Sequence, residues 1–221
     1  MNNLIRHSRW FPRALVALVT LVIGAASIVA VESVTQPRPA SAGAVLGTGS
    51  RLWLTGKSTM HDYHSAATEW SVDMTPRTGF SEPADAAAVE KLVRESGVEK
   101  LTVRVPVKEL KSDKDGIDKN LQKALKAEKF PSIDVTLTSY TAAPAGDSLA
   151  ITAKGEITVA GKTTPLELEG VGRMTPQGLR VTGHEPLKMT QFDVKPPTMM
   201  MGTIKTRDEV VIHWDLLLAP R

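Results

Sequence analysis

The sequence of 221 residues contains no cysteine. This absence excludes a disulfide framework, a thiolate metal site and a cysteine nucleophile, and it suits an oxidising compartment, where a stray thiol would mispair. The sequence also lacks a glycine-rich phosphate loop that feeds a helix, a G-x-S-x-G turn and an H-E-x-x-H sequence. It therefore indicates a protein that is not an enzyme and that carries neither a cofactor nor a metal.

Apart from its first 42 residues, the chain also lacks an excess of positive or negative charge. In residues 1–42 four arginines accompany a single acidic residue, Glu32, and this excess accounts for the whole net charge of +3. Residues 43–221 are therefore neutral. A neutral domain lacks the basic surface that nucleic-acid binding requires, so we expect no nucleic-acid partner.

The first 42 residues are typical of an export signal. Basic residues up to Arg13 precede an uncharged apolar run, residues 14–31, and an A-x-A cleavage site follows at Ala40 to Ala42. Alternatively, the apolar run stays uncleaved and tethers the protein to a membrane, although it is short for a span. Both alternatives predict an extracytoplasmic domain, periplasmic or secreted. We expect a short linker at 43–49 and the folded domain at 50–221.

Most of the remaining sequence alternates between apolar and polar residues, which is the pattern of half-buried strands. About eight strands are expected, weaker ones among them at 51–57, 66–74 and 178–188, with a tight turn at Ala160 and Gly161. So many antiparallel strands indicate a closed barrel or a sandwich. The apolar positions of the clearest stripes are Leu101, Val103, Val105 and Val107; Ile133, Val135 and Leu137; Ile151, Ala153, Ile157 and Val159; Leu166 and Leu168; and Val210, Ile212, Trp214, Leu216 and Leu218.

Two segments depart from the strand pattern. Residues 85–96 are rich in helix formers, and Gly97 is a suitable residue to end a helix there. Residues 117–130 place Leu121, Ala124 and Leu125 at helical spacing, and a proline follows. The sequence therefore predicts one or two short helices beside the strands.

Three segments, in order, resemble those of the YceI-like family. Residues 101–140 hold a strand, a short loop with the acidic Asp118 before a helix, and a Lys-Phe-Pro-x-Ile step into the next strand. Residues 155–172 resemble paired strands joined by a glycine turn, and residues 192–218 resemble the end of the domain. The sequence departs from the family at Ile117, where an arginine is usual, and residues 85–96 look like an insertion.

The resemblance implies an all-β fold, an antiparallel, about eight-stranded lipocalin-like barrel with one or two short helices. It further implies an exported protein whose apolar tunnel holds an isoprenoid-type lipid, such as a polyprenyl phosphate or a quinone tail. Each buried CH₂ of such a tail contributes about 0.8 kcal/mol. The candidate ligand-binding residues are Val103, Val105, Val135, Leu137, Ile151, Ile157, Leu166, Leu168, Phe192, Met199, Met200, Ile212 and Trp214.

Alternatively, the same apolar side chains fill the interior of the barrel as a packed core, since any barrel needs apolar inward positions. The chain would then be a non-enzymatic structural or protein-interaction module. The run of methionines in residues 196–202 suits an adaptable apolar lip, because thioether side chains are flexible; the alternative is a loop that simply folds over one end of the barrel.

Few polar residues are candidates for a site. His61 and His64 form the one close histidine pair, but no third ligand is identifiable, so solvated loop histidines are expected. His184 and His213 are isolated on strands and are predicted to be structural. The lysines that lie near predicted strand ends, where one could pair with a lipid phosphate, are Lys57, Lys188, Lys195 and Lys205.

Overall fold

The computed structural model describes residues 45–199 and 203–220. Their alternating stripes form one antiparallel sheet, to which two α-helices and two 3₁₀ helices are added. The strands are β1 Val45–Leu46, β2 Arg51–Ser58, β3 Asp62–Ala67, β4 Ser71–Pro76, β5 Val98–Pro106, β6 Leu110–Lys111, β7 Ser132–Ala145, β8 Ser148–Val159, β9 Lys162–Thr175, β10 Gly178–Lys188, β11 Thr198–Met199 and β12 Ile204–Ala219. The helices are α1 Ala86–Arg94 and α2 Asp115–Ala124, and the 3₁₀ helices are Val107–Glu109 and Met189–Phe192.

The sheet closes into a barrel. The strands are bonded in the order β4-β5-β7-β8-β9-β10-β12-β2-β3-β6. Strand β4 pairs with β5, and β3 pairs with β6. Since β6 continues β5 and β4 continues β3, the two ends of this order meet, and the Thr68 N–H donates to the Glu109 carbonyl across the interruption at 2.9 Å. When β3 and β4 are counted as one interrupted strand, and β5 and β6 as another, the ten strands of this order occupy eight positions around the barrel. This arrangement confirms the predicted barrel.

Two strand boundaries differ from the sequence prediction. The strand expected at 66–74 is in fact β3 and β4, separated by residues 68–70, and this interruption allows Trp70 to turn into the barrel. Segment 43–49, expected to be a linker, contributes β1, which pairs with β12. The predicted turn at Ala160 and Gly161 is confirmed, since both residues have the positive φ that a two-residue hairpin turn requires, 50° and 84°.

Helix α1 begins as the sequence predicts but ends differently. The Asp85 carboxylate accepts a hydrogen bond from the Ala88 N–H at 2.8 Å, which caps the first turn. Ser96, not Gly97, takes the left-handed conformation after the helix, with φ of 56°. Glycine suits position 97 for another reason, because a Cβ there would push against the side chains of Leu92 and Phe80.

Helix α2 is shorter at its C-terminal end than the predicted 117–130. It ends at Ala124, and Lys126 follows with a left-handed φ of 54°. Leu125 and Ala127 are buried in the core, so packing overrides the helical spacing. Asp118, expected before the helix, lies in its first turn, where the buried carboxylate accepts hydrogen bonds from the Ser112 N–H and hydroxyl at 2.8 and 2.7 Å. This carboxylate holds α2 against the chain that follows β6.

The helices belong to opposite ends of the barrel. Helix α1 contacts β7, β9, β10 and β12 near one end, and α2 contacts β6 and the 3₁₀ helix Val107–Glu109 at the other. We name these the α1 end and the α2 end. Within the described residues, neither helix is long and apolar enough to cross a membrane.

Candidate ligand-binding site

The barrel encloses a cavity of about 220 Å³ toward the α1 end, which we name the inner cavity. Apolar positions of nine strands line it, because strand residues alternate between the two faces of the sheet. Helix α1 closes the end with Val93. The other residues that line the inner cavity include Leu52, Leu101, Val103, Val135, Leu137, Ile151, Leu168, Val181, Trp214 and Leu218.

A second cavity, of about 300 Å³, lies at the α2 end and is named the outer cavity. Helix α2 contributes Ile117 and Leu121 to its wall, and the segment after β10 contributes Phe192 and Val194. Polar residues also border it, and they outnumber those of the inner cavity, which are Glu99, Lys100, Ser139 and Tyr140. The polar residues of the outer cavity are Ser58, His61, Tyr63, Ser65, Lys114, Asn120 and Thr206.

The two cavities meet at one ring of aliphatic side chains. Leu54, Ile133, Ile157 and Ile212 line both cavities. They come from β2, β7, β8 and β12, and Leu54 and Ile212 are direct cross-strand partners. The barrel interior therefore offers two adjoining compartments along one axis, suited to an elongated apolar molecule.

The structure places most of the sequence-predicted residues on this interior. Ile157 and Ile212 belong to the shared ring, and Phe192 lines the outer cavity. Met199 contributes its backbone to β11, but its side chain and Met200 lie outside the described residues. The remaining predicted residues all line the inner cavity: Val103, Val105, Val135, Leu137, Ile151, Leu166, Leu168 and Trp214.

Several lining residues were missed by sequence reasoning. Leu52 and Leu54 alternate with Trp53 in β2 and could have been included on that pattern. Tyr140 was missed because β7 carries a bulge between Leu137 and Ser139, which shifts the alternation by one residue. The bulge depends on Gly155 of β8, since a Cβ there would overlap the Thr136 carbonyl.

The phenol of Tyr140 is the polar side-chain group of the inner cavity that ties α1 to the barrel. Its hydroxyl donates to the Leu92 carbonyl of α1 and accepts from the Val98 N–H of β5, both at 3.3 Å. Burial raises the pKa of Tyr140. Because both contacts are internal to the protein, this group is already committed to the fold.

The outer cavity presents polar groups of a different kind. Ser65 is fully buried on the inner face of β3, and among the described residues its Oγ has no hydrogen-bond partner. Two residues earlier, Tyr63 lies across Gly56, its cross-strand partner, where any Cβ would overlap the phenol. Burial also raises the pKa of Tyr63.

The histidines do not combine into a metal site. His61 borders the outer cavity, whereas His64 borders a groove on the outside of the barrel. Among the described residues, no three His, Asp or Glu side chains come together as metal ligands. The prediction that His184 and His213 are isolated was wrong, because they are cross-strand partners with ring centroids 6.0 Å apart. Burial, and secondarily His184, lowers the pKa of His213.

The lysines proposed for a phosphate lie away from the interior. Lys57 borders the outside groove, beside Arg207 and Glu209. Of the described residues that line the two cavities, the lysines are Lys100 and Lys114. The other predicted candidates, which are exposed, are Lys188, Lys195 and Lys205.

An antiparallel eight-position barrel closed around an apolar interior is the architecture of lipocalin-like binding proteins. The sequence profile of the YceI-like domain matches residues 53–218. The chain therefore belongs to the YceI-like domain family, as the sequence resemblance indicated.

Solved structures with a similar fold include BcnA from Burkholderia cenocepacia, with a TM-score of 0.55 and 16% identity over 76% of this chain and 94% of that one. A polyisoprenoid binding domain from Saccharophagus degradans, implicated in plant cell wall breakdown, has a TM-score of 0.54 and 10% identity over 80% and 97%. The YceI protein of Campylobacter jejuni has a TM-score of 0.51 and 16% identity over 75% and 85%. No curated protein sequence matches the chain significantly.

Proposed function

We propose that this protein is an exported lipid-binding protein that holds an isoprenoid-type lipid inside its barrel. The observation that carries this proposal is the pair of adjoining cavities inside the barrel, about 220 and 300 Å³, both lined mainly by apolar side chains. Protein interiors are normally packed with few voids larger than a water molecule. Unfilled apolar space costs stability, so space of this size is best explained by a ligand.

The tail of the ligand would occupy the inner cavity and pass the shared ring. Removing each CH₂ from water contributes about 0.8 kcal/mol, so a tail of several isoprene units needs few polar contacts for tight binding. The side chains proposed to contact it are the cavity-lining residues predicted from the sequence. The likeness in fold to the polyisoprenoid binding domain from Saccharophagus degradans supports the same ligand class.

The leader supports an extracytoplasmic location, periplasmic or secreted. Residues 1–42 lie outside the described residues, so cleavage after Ala42 remains a proposal from the sequence. An uncleaved leader would tether the barrel to the membrane through residues 14–31. A periplasmic or tethered barrel would lie beside membranes, which contain isoprenoid lipids.

The two cavities favour a binding protein over the alternative of a module with a filled core. A filled barrel would have its inward side chains in mutual contact along the axis. Here the four residues of the shared ring instead face space on both sides. We retain the prediction that the protein is not an enzyme, as is typical of ligand carriers with apolar interiors.

Native mass spectrometry of the full chain, expressed with export and purified without harsh detergent, tests this proposal. We expect a discrete added mass that organic extraction identifies as a prenyl lipid. The polypeptide mass should correspond to a chain that begins at Gly43. A ligand-free mass that does not change after incubation with quinones and polyprenyl phosphates would contradict the proposal and favour the filled-core module.

A further inference from the structure

The outer cavity contains a buried hydroxyl that the protein does not use. Ser65 is 0% exposed and its Oγ has no partner among the described residues. Buried polar groups in folded proteins almost always have a hydrogen-bond partner, because burial without one costs free energy. An unused hydroxyl that faces a cavity therefore points to a partner that belongs to a ligand.

A second hydroxyl in the same barrel provides a comparison. Thr164 of β9 also buries its Oγ1 without a partner, but it does not line either described cavity. Ser65 differs because it combines a missing partner with a place in the wall of the outer cavity. The combination, and not burial alone, identifies position 65.

The surroundings of Ser65 suit the polar end of an elongated molecule. Along β3, Tyr63 precedes Ser65 by two residues on the same face and borders both the outer cavity and the outside groove. Across the wall, Leu54 is the direct partner of Ser65 and belongs to the ring shared with the inner cavity. Ser65 therefore lies between the polar residues of the outer cavity and the aliphatic ring that it shares with the inner cavity.

The charges around the outer cavity favour a neutral group over a phosphate. Of the described residues that line it, only Lys114 and His61 can carry positive charge, and both are exposed. A buried phosphate needs paired cations or several donors to offset its lost hydration. Ser65 supplies a single neutral donor, which is sufficient for a carbonyl or hydroxyl oxygen.

We infer that the Ser65 hydroxyl donates a hydrogen bond to a neutral carbonyl or hydroxyl oxygen at the polar end of the bound lipid. The ligand then lies with its polar end in the outer cavity and its tail in the inner cavity. This inference rests on the proposed function, and it selects a neutral-headed isoprenoid, such as a quinone or a prenyl alcohol, over a polyprenyl phosphate.

Three probes with one carbon skeleton test the inference: farnesol, farnesyl phosphate and the hydrocarbon farnesene. Their affinities for the full chain are measured by isothermal titration calorimetry. We expect the wild-type protein to bind farnesol more tightly than either of the others. Replacing Ser65→Ala should weaken farnesol binding by about threefold to tenfold, the effect of one neutral hydrogen bond, and leave farnesene binding unchanged.

Thr164→Val is the matched control, since it removes a buried, unpartnered hydroxyl that lines neither of the two described cavities. We expect it to leave all three affinities unchanged. Equal farnesol affinities in wild type and Ser65→Ala, or tightest binding of farnesyl phosphate, would overturn the inference while leaving lipid binding intact. If none of the three probes binds the wild-type protein, the proposed function fails instead. The comparison of farnesol with farnesene in wild type needs no variant, so it holds even if a variant misfolds.

Discussion

The two ends of the barrel use polar groups in opposite ways. At the α1 end, the Tyr140 hydroxyl is fully engaged by Leu92 and Val98, and the inner cavity is lined mainly by apolar side chains. At the α2 end, the Ser65 hydroxyl has no partner among the described residues and faces the outer cavity. The same strands run through both ends, so the difference lies in single inward positions and not in the fold.

This difference separates affinity from orientation. An aliphatic compartment attracts any apolar tail in proportion to the surface it buries, but it cannot define the direction of that tail. One unused donor at the other end can define it, because a misplaced polar end would leave both the donor and the ligand oxygen unsatisfied. The variants below alter one end at a time.

The largest effect is expected from filling the inner cavity. Val135→Phe places a ring in the space reserved for the tail, so prenyl affinity should fall at least about tenfold through lost CH₂ burial. Calorimetry with farnesene measures this loss. Thr141→Phe adds the same ring to an exposed position of β7 and should leave affinity unchanged; equal losses in the two variants would argue against an interior site.

The second-largest expected effect is a loss of stability when the hydrogen bonds that hold α2 in place are removed. Asp118→Ala leaves the Ser112 N–H without its acceptor, which costs about 2 kcal/mol and should lower the melting temperature by several degrees. Thermal unfolding followed by circular dichroism measures the change. Asp115→Ala, at an exposed position of the same helical turn, should cost less than about 1 kcal/mol. A similar loss in both variants would show that helix charge, not the buried hydrogen bond, matters.

Removing the hydroxyl of Tyr140 and removing that of Ser65 should affect the stability of the ligand-free protein differently. Tyr140→Phe removes a hydroxyl that is in use and should destabilise the ligand-free protein by about 1 kcal/mol. Ser65→Ala removes an unpartnered hydroxyl and should leave the ligand-free protein as stable as wild type, or more so. Urea unfolding of the ligand-free proteins distinguishes the two. A destabilising Ser65→Ala would mean that the hydroxyl supports the fold.

A smaller, pH-dependent effect is expected on the outer wall of the barrel. Hydrogen bonds from Arg180, with help from Arg51, hold the pKa of Asp215 below its ordinary value. A lowered pKa in the folded state stabilises the protein above the unfolded value of about 3.9, and this stabilisation is lost as the pH falls through the folded pKa. Asp215→Asn should therefore cost about 1 kcal/mol at pH 7 and less at pH 2, measured by urea unfolding. An equal cost at both pH values would contradict this origin.

Period-two alternation explains why much of the interior could be predicted. Inward positions such as Val103, Val135 and Leu168 follow from it, because a strand with one buried face allows a single register. Tyr140 and the end of α2 could not be predicted, since a bulge and tertiary packing override local spacing. Ser65 is a small residue in a weak strand, and only the structure shows that its hydroxyl has no partner among the described residues. The pairing of His184 with His213 depends on the register between β10 and β12, which the sequence does not state.

Intermolecular nuclear Overhauser effects between farnesol and the methyl groups of the full chain test the central claim most directly. We predict contacts from the terminal methyl groups of the ligand to Val103 and Val181 in the inner cavity, and from the carbon beside its hydroxyl to Ile117 and Leu121 in the outer cavity. The reverse assignment, or contacts confined to the outside of the barrel, would contradict the account.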